Sequence, residues 1–134
     1  MEGRERKHRV LCLQTDASCD WLVVGTSANY LSIWNISLME FTNCIPVAGM
    51  PSKILFNGTD IMSVGSEEFV YHWNIVGKYK TRVQTSSSSI ADVHINESDE
   101  EKNRVLLACG NSNQLDVFSN FNHKGFSFQF PPTQ

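Results

Sequence analysis

The chain has 134 residues, with eleven Lys and Arg against fourteen Asp and Glu, which is enough for one domain and short for two, and could bury a core if it closed on itself. The mild acidity argues against a module built on broad phosphate contact. No apolar run approaches the ~20 residues of a membrane-spanning helix, and MEGRERKHRV has no apolar segment behind its charges, so it does not read as a signal peptide.

In chain order, residues 1–8 read as a basic disordered tail. The cluster GRERKHR is its sharper feature, a weak nuclear-import or RNA-touching arm. A strand RVLCLQT follows at Arg9. Next comes LVVGTSANYLSIWNI, residues 22–36: an apolar run, a Gly, a short polar gap, and a second apolar run ending in Trp-Asn-Ile. MEFTNCIPV supplies a fourth strand. The order then repeats. SKILF precedes IMSVGSEEFVYHWNI at 61–75, and KYKTRVQ follows it. IADVHI precedes VLLACGNSNQLDVFSN at 105–120, and KGFSFQF follows.

Gly25 and Gly65 are forty residues apart, and Trp34 and Trp73 thirty-nine. The next step is forty-five, with Gly110 in the part of Gly65 and Phe118 in that of Trp73, because NESDEEKN at 96–103 is inserted. β-Branched and aromatic residues dominate the runs. The Gly reads as the place where the backbone turns tightly. Four short antiparallel strands per roughly 40 residues is the layout of a propeller blade. A repetitive β-sandwich has strand runs but no duplicated phrase at this period. The expectation is an all-β chain of three four-stranded blades, at about 9–47, 52–84 and 89–130, with a short tail at 131–134. One blade is apolar on both faces and needs a neighbour to cover it. Trp34 and Trp73 are therefore expected between blades, and the unpaired end faces are expected to show Leu22, Val24 and Ile33.

The phrases resemble WD repeats, with Trp-Asn where that family often has Trp-Asp and without its Gly-His pair. Read end to end, the segments CLQTDASCDWLVVG, LSIWNI, IMSVGSEEFVYHWNIVG and VLLACGNSNQLDVFSNFNHKGFSFQF resemble the closing blades of the THO complex subunit 6 family, over about residues 10 to 130. The ending is the most specific part: Ala108, Gly110, Asn111 and Ser112, then 115–118, then Asn120 and the alternating 126–130. The resemblance implies a β-propeller of about seven blades, of which this chain is a C-terminal fragment lacking blades on its N-terminal side. It also implies a nuclear, non-catalytic, protein-binding scaffold whose partners are other THO/TREX subunits, in the assembly that couples transcription and mRNA processing to mRNA export. No cofactor, membrane or small-molecule substrate is implied, and RNA contact is at most indirect. A generic WD-repeat adaptor in another complex is the alternative. Relatives that serve ubiquitin ligases carry an acidic residue and an Arg after the Trp. Here Trp34-Asn35-Ile36-Ser37 and Trp73-Asn74-Ile75-Val76 lack both.

No residue set points to an enzyme or a metal site. Asp16 and Asp20 sit in a turn-forming stretch, TDASCD. His72 lies in a strand beside Trp73 with no nucleophile or carboxylate at a usable spacing, and His94 and His123 stand alone. Cys12, Cys19, Cys44 and Cys109 have no zinc-ligand spacing and read as reduced, mostly buried thiols of an intracellular protein. Ser86–Ser89 reads as a flexible connector, and 97–101 as a solvated acidic tip with Ser98 a phosphorylation candidate. Three Asn-x-Ser/Thr triplets, at Asn35, Asn57 and Asn96, mean nothing without a signal peptide. Asn57-Gly58 is a strong turn signal. Propellers bind through loops, because their strands are spent on packing. One rim carries TSANY, SEE, NSN, AGMP and SSSS. On it Tyr30, Met50, Glu67 and Glu68 are the candidate protein-binding residues: an aromatic anchor, a soft apolar contact, and charge for a basic partner.

Overall fold

A computed structural model describes residues 8–96 and 105–119, and the backbone of 123–129. The basic tail, the acidic stretch 97–101, the 131–134 tail and the side chains of His123 and of 126–130 lie outside the described residues. Among the described residues there are strands and turns and no helix.

The described residues form twelve strands in three antiparallel sheets, each in chain order. Sheet 1 is β1 (Val10–Thr15), β2 (Trp21–Thr26), β3 (Tyr30–Asn35) and β4 (Glu40–Pro46). Sheet 2 is β5 (Pro51–Asn57), β6 (Asp60–Gly65), β7 (Phe69–Trp73) and β8 (Tyr79–Gln84). Sheet 3 is β9 (Ile90–Ile95), β10 (Val105–Gly110), β11 (Gln114–Ser119) and β12 (His123–Gln129). The first strands of the sheets lie side by side, β1 against β5 and β5 against β9. The sheets therefore stack face to face about their first strands, as propeller blades do.

Two seams form the core. In the first, Val23, Leu31, Ile33 and Ile45 of sheet 1 meet Ile54 and Ile61 of sheet 2, with Phe56 and Trp73 packed against them. In the second, Met62, Val64, Val70 and Val83 of sheet 2 meet Val93, Leu106, Ala108 and Phe118 of sheet 3. Neighbours along a strand alternate between the seams: Ile61 serves the first and Met62 the second. That follows from the two-residue side-chain period of a strand, and it is why these strands read as continuous apolar runs.

The ladders align the repeats. Leu22 pairs with Trp34, Ile61 with Trp73 and Leu106 with Phe118. Trp73 and Phe118 occupy one position, and each packs on the preceding sheet. Trp34 occupies that position too, but it is exposed, because sheet 1 has no preceding sheet among the described residues. The expectation that both Trp residues lie between blades therefore holds for Trp73 alone. Leu22 and Val24 fall on the bare side of sheet 1, whereas Ile33 points into the first seam and is fully buried.

Thr26, not Gly25, is the ladder equivalent of Gly65 and Gly110, since each precedes its aromatic partner by eight residues. Gly25 lies one step earlier, where an added Cβ would meet the Cys12 sulfur and Pro51. The four thiols are free, but Cys19 and Cys44 are exposed, so the cysteines are not mostly buried.

Trp73 is half-buried. Its Nε1–H donates to Ser63 Oγ at 3.1 Å, and its ring lies edge-on to Tyr79 at 5.6 Å. Trp73→Ala is expected to cost about 3–5 kcal/mol through the cavity it leaves in the seam, and Ser63→Ala, which removes only the hydrogen bond, about 1 kcal/mol. Urea denaturation of the three proteins checks both values.

Candidate protein-docking rim

The hairpin tips 27–29, 66–68 and 111–113 and the inter-sheet links 47–50 and 85–89 all fall on one edge of the stack. They are joined into a strip. Val47 N donates to Asn29 O at 3.0 Å, which ties the first link to its own sheet. Ser66 N donates to Met50 O at 3.1 Å, and Met50 N to Ser66 Oγ at 2.9 Å, which ties it to the next. The second link repeats this: Thr85 N donates to Glu68 O at 2.8 Å, and Asn111 N to Ser89 O at 3.1 Å. A third copy precedes β1, where Ser27 N donates to Arg9 O and Arg9 N to Ser27 Oγ, both at 2.9 Å.

This strip explains two of the glycines. A Cβ on Gly65 would collide with the Met50 carbonyl, and one on Gly110 with that of Ser89. Neither glycine has a positive φ; Gly58 and Gly77 do. The residue is needed where a link crosses the strand end at contact distance, not to make the turn.

The serine link is not a loose connector. Asp116, buried on β11, accepts from Ser86 N at 2.6 Å and from Ser86 Oγ at 2.8 Å. Ser87 is buried and shares a 2.8 Å hydrogen bond with Ser112. Ser88 N donates to Asn111 Oδ1 at 3.0 Å. Sequence reading missed Asp116, because its partner lies thirty residues upstream.

Of the candidate binding residues, Met50 is exposed and lines an open depression of about 370 Å³ with Leu11, Pro51 and Ile90. Glu67 and Glu68 lie in the next hollow along the strip, with Phe69 and Ser88. Both hollows include Ser66, so the three residues share one surface. Glu67 is also engaged internally, accepting from the Tyr71 hydroxyl at 2.7 Å. Burial first, and then the Glu67 carboxylate, push the Tyr71 pKa up, so the phenol stays a donor. Glu68 accepts from Gln84 Nε2 at 3.1 Å. Arg82 lies over the Phe69 ring at 4.1 Å, a cation–π contact beside the acidic pair. Tyr30 is half-buried at the start of β3 and belongs to sheet 1, one sheet away from the other three.

The opposite edge carries turns braced mostly by short-range hydrogen bonds, with Ile36 N donating to Asp20 O at 2.9 Å between two of them and Asn43 Nδ2 donating to Val76 O between sheets 1 and 2. Asp16 Oδ1 accepts from the Asp20 and Trp21 amides at 2.9 and 3.0 Å, and Oδ2 from Ser18 Oγ at 2.9 Å. Burial alone would raise the Asp16 pKa, but these hydrogen bonds hold it below the usual carboxylate range. The Asn of each Trp-Asn pair closes the next turn. Asn35 Oδ1 accepts from Leu38 N at 3.0 Å, and Asn74 Oδ1 from Lys78 N at 2.8 Å. His72 does have a carboxylate neighbour: its Nε2 lies 3.2 Å from Asp60 Oδ2, which also accepts from Lys80 Nζ at 2.7 Å. Asp60 is diagonal to His72 across the β6–β7 ladder, on the same side, and that becomes visible only once the register is known. Among the described residues no three His, Cys, Asp or Glu converge as a metal set would.

A chain of this path matches solved structures. It superposes on a protein titled U3-55K with a TM-score of 0.81 at 9% identity, over 95% of this chain and 41% of that one. At that identity the likeness concerns the fold alone. Sequence decides more. A Danio rerio protein named THO complex subunit 6 homolog is 33% identical over 121 residues, 90% of this chain. Nine-tenths of the chain is thus similar to a THO complex subunit 6. Human THO complex subunit 6 is 31% identical over 120 residues. The chain spans about a third of the length of these relatives, 36% and 34% respectively. No family model matches it.

Two outcomes test these edges. Gly65→Ala is expected to destabilise by about 1–3 kcal/mol, the usual cost of overpacking, read by chemical denaturation. For Asp16 the folded pKa is the lower one, so its stabilisation is present above the ordinary carboxylate value of about 3.9 and is lost as pH falls through the folded value. Asp16→Asn should therefore lower the thermal midpoint at neutral pH and narrow the gap to wild type in acid.

Proposed function

We propose that the chain is a non-catalytic protein-binding scaffold that docks a partner on the linked rim, within the nuclear THO-type assembly that couples transcription and mRNA processing to mRNA export. The observation that supports this most is the rim itself. It joins an exposed Met50 and the acidic pair Glu67 and Glu68 along a strip whose backbone is held by hydrogen bonds between sheets. A surface fixed in that way binds without first being ordered. Kinship with THO complex subunit 6 supports the choice of assembly. The acidic pair favours a basic face on the partner, with its main effect on association rate.

The test is co-purification of the tagged chain from nuclear extract. Wild type is expected to retain THO subunits. The double variant Met50→Ala with Glu68→Lys, which leaves the Glu67–Tyr71 bond intact, is expected to lose at least half of them at an unchanged thermal midpoint. Retention at wild-type levels by this variant would remove the rim from the reading. Recovery of a different assembly by wild type would remove THO.

A further inference from the structure

The two carboxylates of the rim are fixed in place yet carry no counter-charge. The Tyr71 hydroxyl donates to Glu67 Oε1 at 2.7 Å, and Gln84 Nε2 donates to Glu68 Oε2 at 3.1 Å. Both donors are neutral. Acids elsewhere meet a cation inside the chain, Asp60 with Lys80 and Asp92 with Lys53. Among the described residues no cation lies within ion-pair distance of Glu67 or Glu68, and the Arg82 guanidinium sits over the Phe69 ring instead.

Beside the acids lies an apolar seat. The outer hollow, about 320 Å³, holds Glu67, Glu68 and Phe69. The inner one, about 370 Å³, is lined by Leu11, Met50, Pro51 and Ile90. Ser66 borders both, Ser88 the outer and Ser89 the inner, so the two run together between the tip 66–68 and the link 85–89. These short side chains leave room for a main chain. Ser66 Oγ accepts from Met50 N at 2.9 Å, and Ser88 Oγ from Asn111 Nδ2 at 2.7 Å. A hydroxyl also has one proton to donate, and among the described residues neither of these two gives its own away. Each can give it to a carbonyl that passes over the slot.

We propose that this slot takes an extended segment of the docked partner, with an apolar side chain seated on Met50 and Pro51, an Arg or Lys two residues along against Glu67 and Glu68, and carbonyls accepting from Ser66 and Ser88. The proposal rests on the docking reading above and names what the partner presents there. Residues two apart in an extended chain point to one side, about 7 Å from each other, which suits two hollows divided by one serine. A cation between two carboxylates makes charge-assisted hydrogen bonds, and acids already held lose little side-chain freedom when it arrives. A segment with no cation would cover the pair and leave its charge without a partner.

The probe is a fluorescein-labelled peptide, Gly-Ser-Leu-Ser-Arg-Ser-Gly, titrated with the full chain and read by anisotropy. Binding at millimolar concentration or below is expected. It should weaken about tenfold when the Arg is replaced by Glu or the Leu by Ser, and it should weaken with added salt. Glu67→Gln with Glu68→Gln keeps an acceptor oxygen for Tyr71 and for Gln84. That variant is expected to fold as wild type, to bind the probe about tenfold more weakly and to lose the salt dependence. If it misfolds, amide shifts on the wild-type chain decide: the probe is expected to move Ser66 and Ser88 and to leave Asn74, on the far edge, in place. No binding of the parent peptide at millimolar concentration, equal binding of its Glu version, or shifts that spare Ser66 and Ser88 would overturn the proposal. THO subunits retained by wild type while the probe shows no need for its Arg would remove this inference and leave the docking reading standing. A probe bound as described while no THO subunit co-purifies would do the reverse.

Discussion

Everything in this fold depends on the seam between sheets. A strand with one wet side can alternate apolar and polar residues, and a sheet of such strands can rest on a single partner. Here Ile61 and Met62, adjacent in β6, are both buried on opposite sides, and the strand has no side left for water. Burying a side chain of this size contributes roughly 1.5–3 kcal/mol, which one sheet alone cannot collect. The repeated phrase is the sequence form of that requirement. Each copy supplies a surface for the copy before it and another for the copy after, with Trp73 and Phe118 as the largest pieces.

Strand number, order and grouping were legible, because apolar runs and turn residues are local signals and the repeat sets their phase. Trp73 and Phe118 at a shared position followed from the same spacing. What escaped needed the third dimension. Gly25 looks like Gly65 on paper, yet by ladder register Thr26 is the residue that matches that glycine, since an offset of one residue is invisible until strands pair. Ser86 and Ser87 look like a flexible run because their partners, Asp116 and Ser112, come much later in the chain. His72 had no carboxylate until β6 and β7 paired and brought Asp60 diagonal to it. Trp34 and Trp73 have nearly the same flanking sequence but differ in what lies in front of them, and no local pattern carries that information. The rim was legible as a list of loops. Its hydrogen-bonded continuity, and the separation of Tyr30 from Met50 and the glutamates, were not.

With the strands committed to seams, the edges are the surfaces left free to vary, and the two edges are unlike. On the rim a backbone group of one sheet meets the next at Met50–Ser66 and at Ser89–Asn111, so a partner held there contacts two sheets through a surface already in place. The His72–Asp60–Lys80 group lies away from that strip, toward the far edge.

The asymmetry of the edges also governs where the chain can grow. On the rim, a residue added to 47–50 or 85–89 would shift a carbonyl that already rests on a glycine and break the pairing across two sheets. On the far edge Asp16, Asn35 and Asn74 brace their own turns, Ile36 N donates to Asp20 O between two turns of sheet 1, and Asn43 Nδ2 donates to Val76 O between sheets 1 and 2. A longer connection that leaves those ties in place costs little more than loop-closure entropy, about 0.6 kcal/mol for each doubling of length. The extra residues of the third repeat, 96–103, come between β9 and β10 in the sequence, the same place in the repeat as the far-edge turn that joins β5 to β6. Length variation in such chains has a permitted side and a forbidden side, and the forbidden side is the one that touches other proteins in the reading given above.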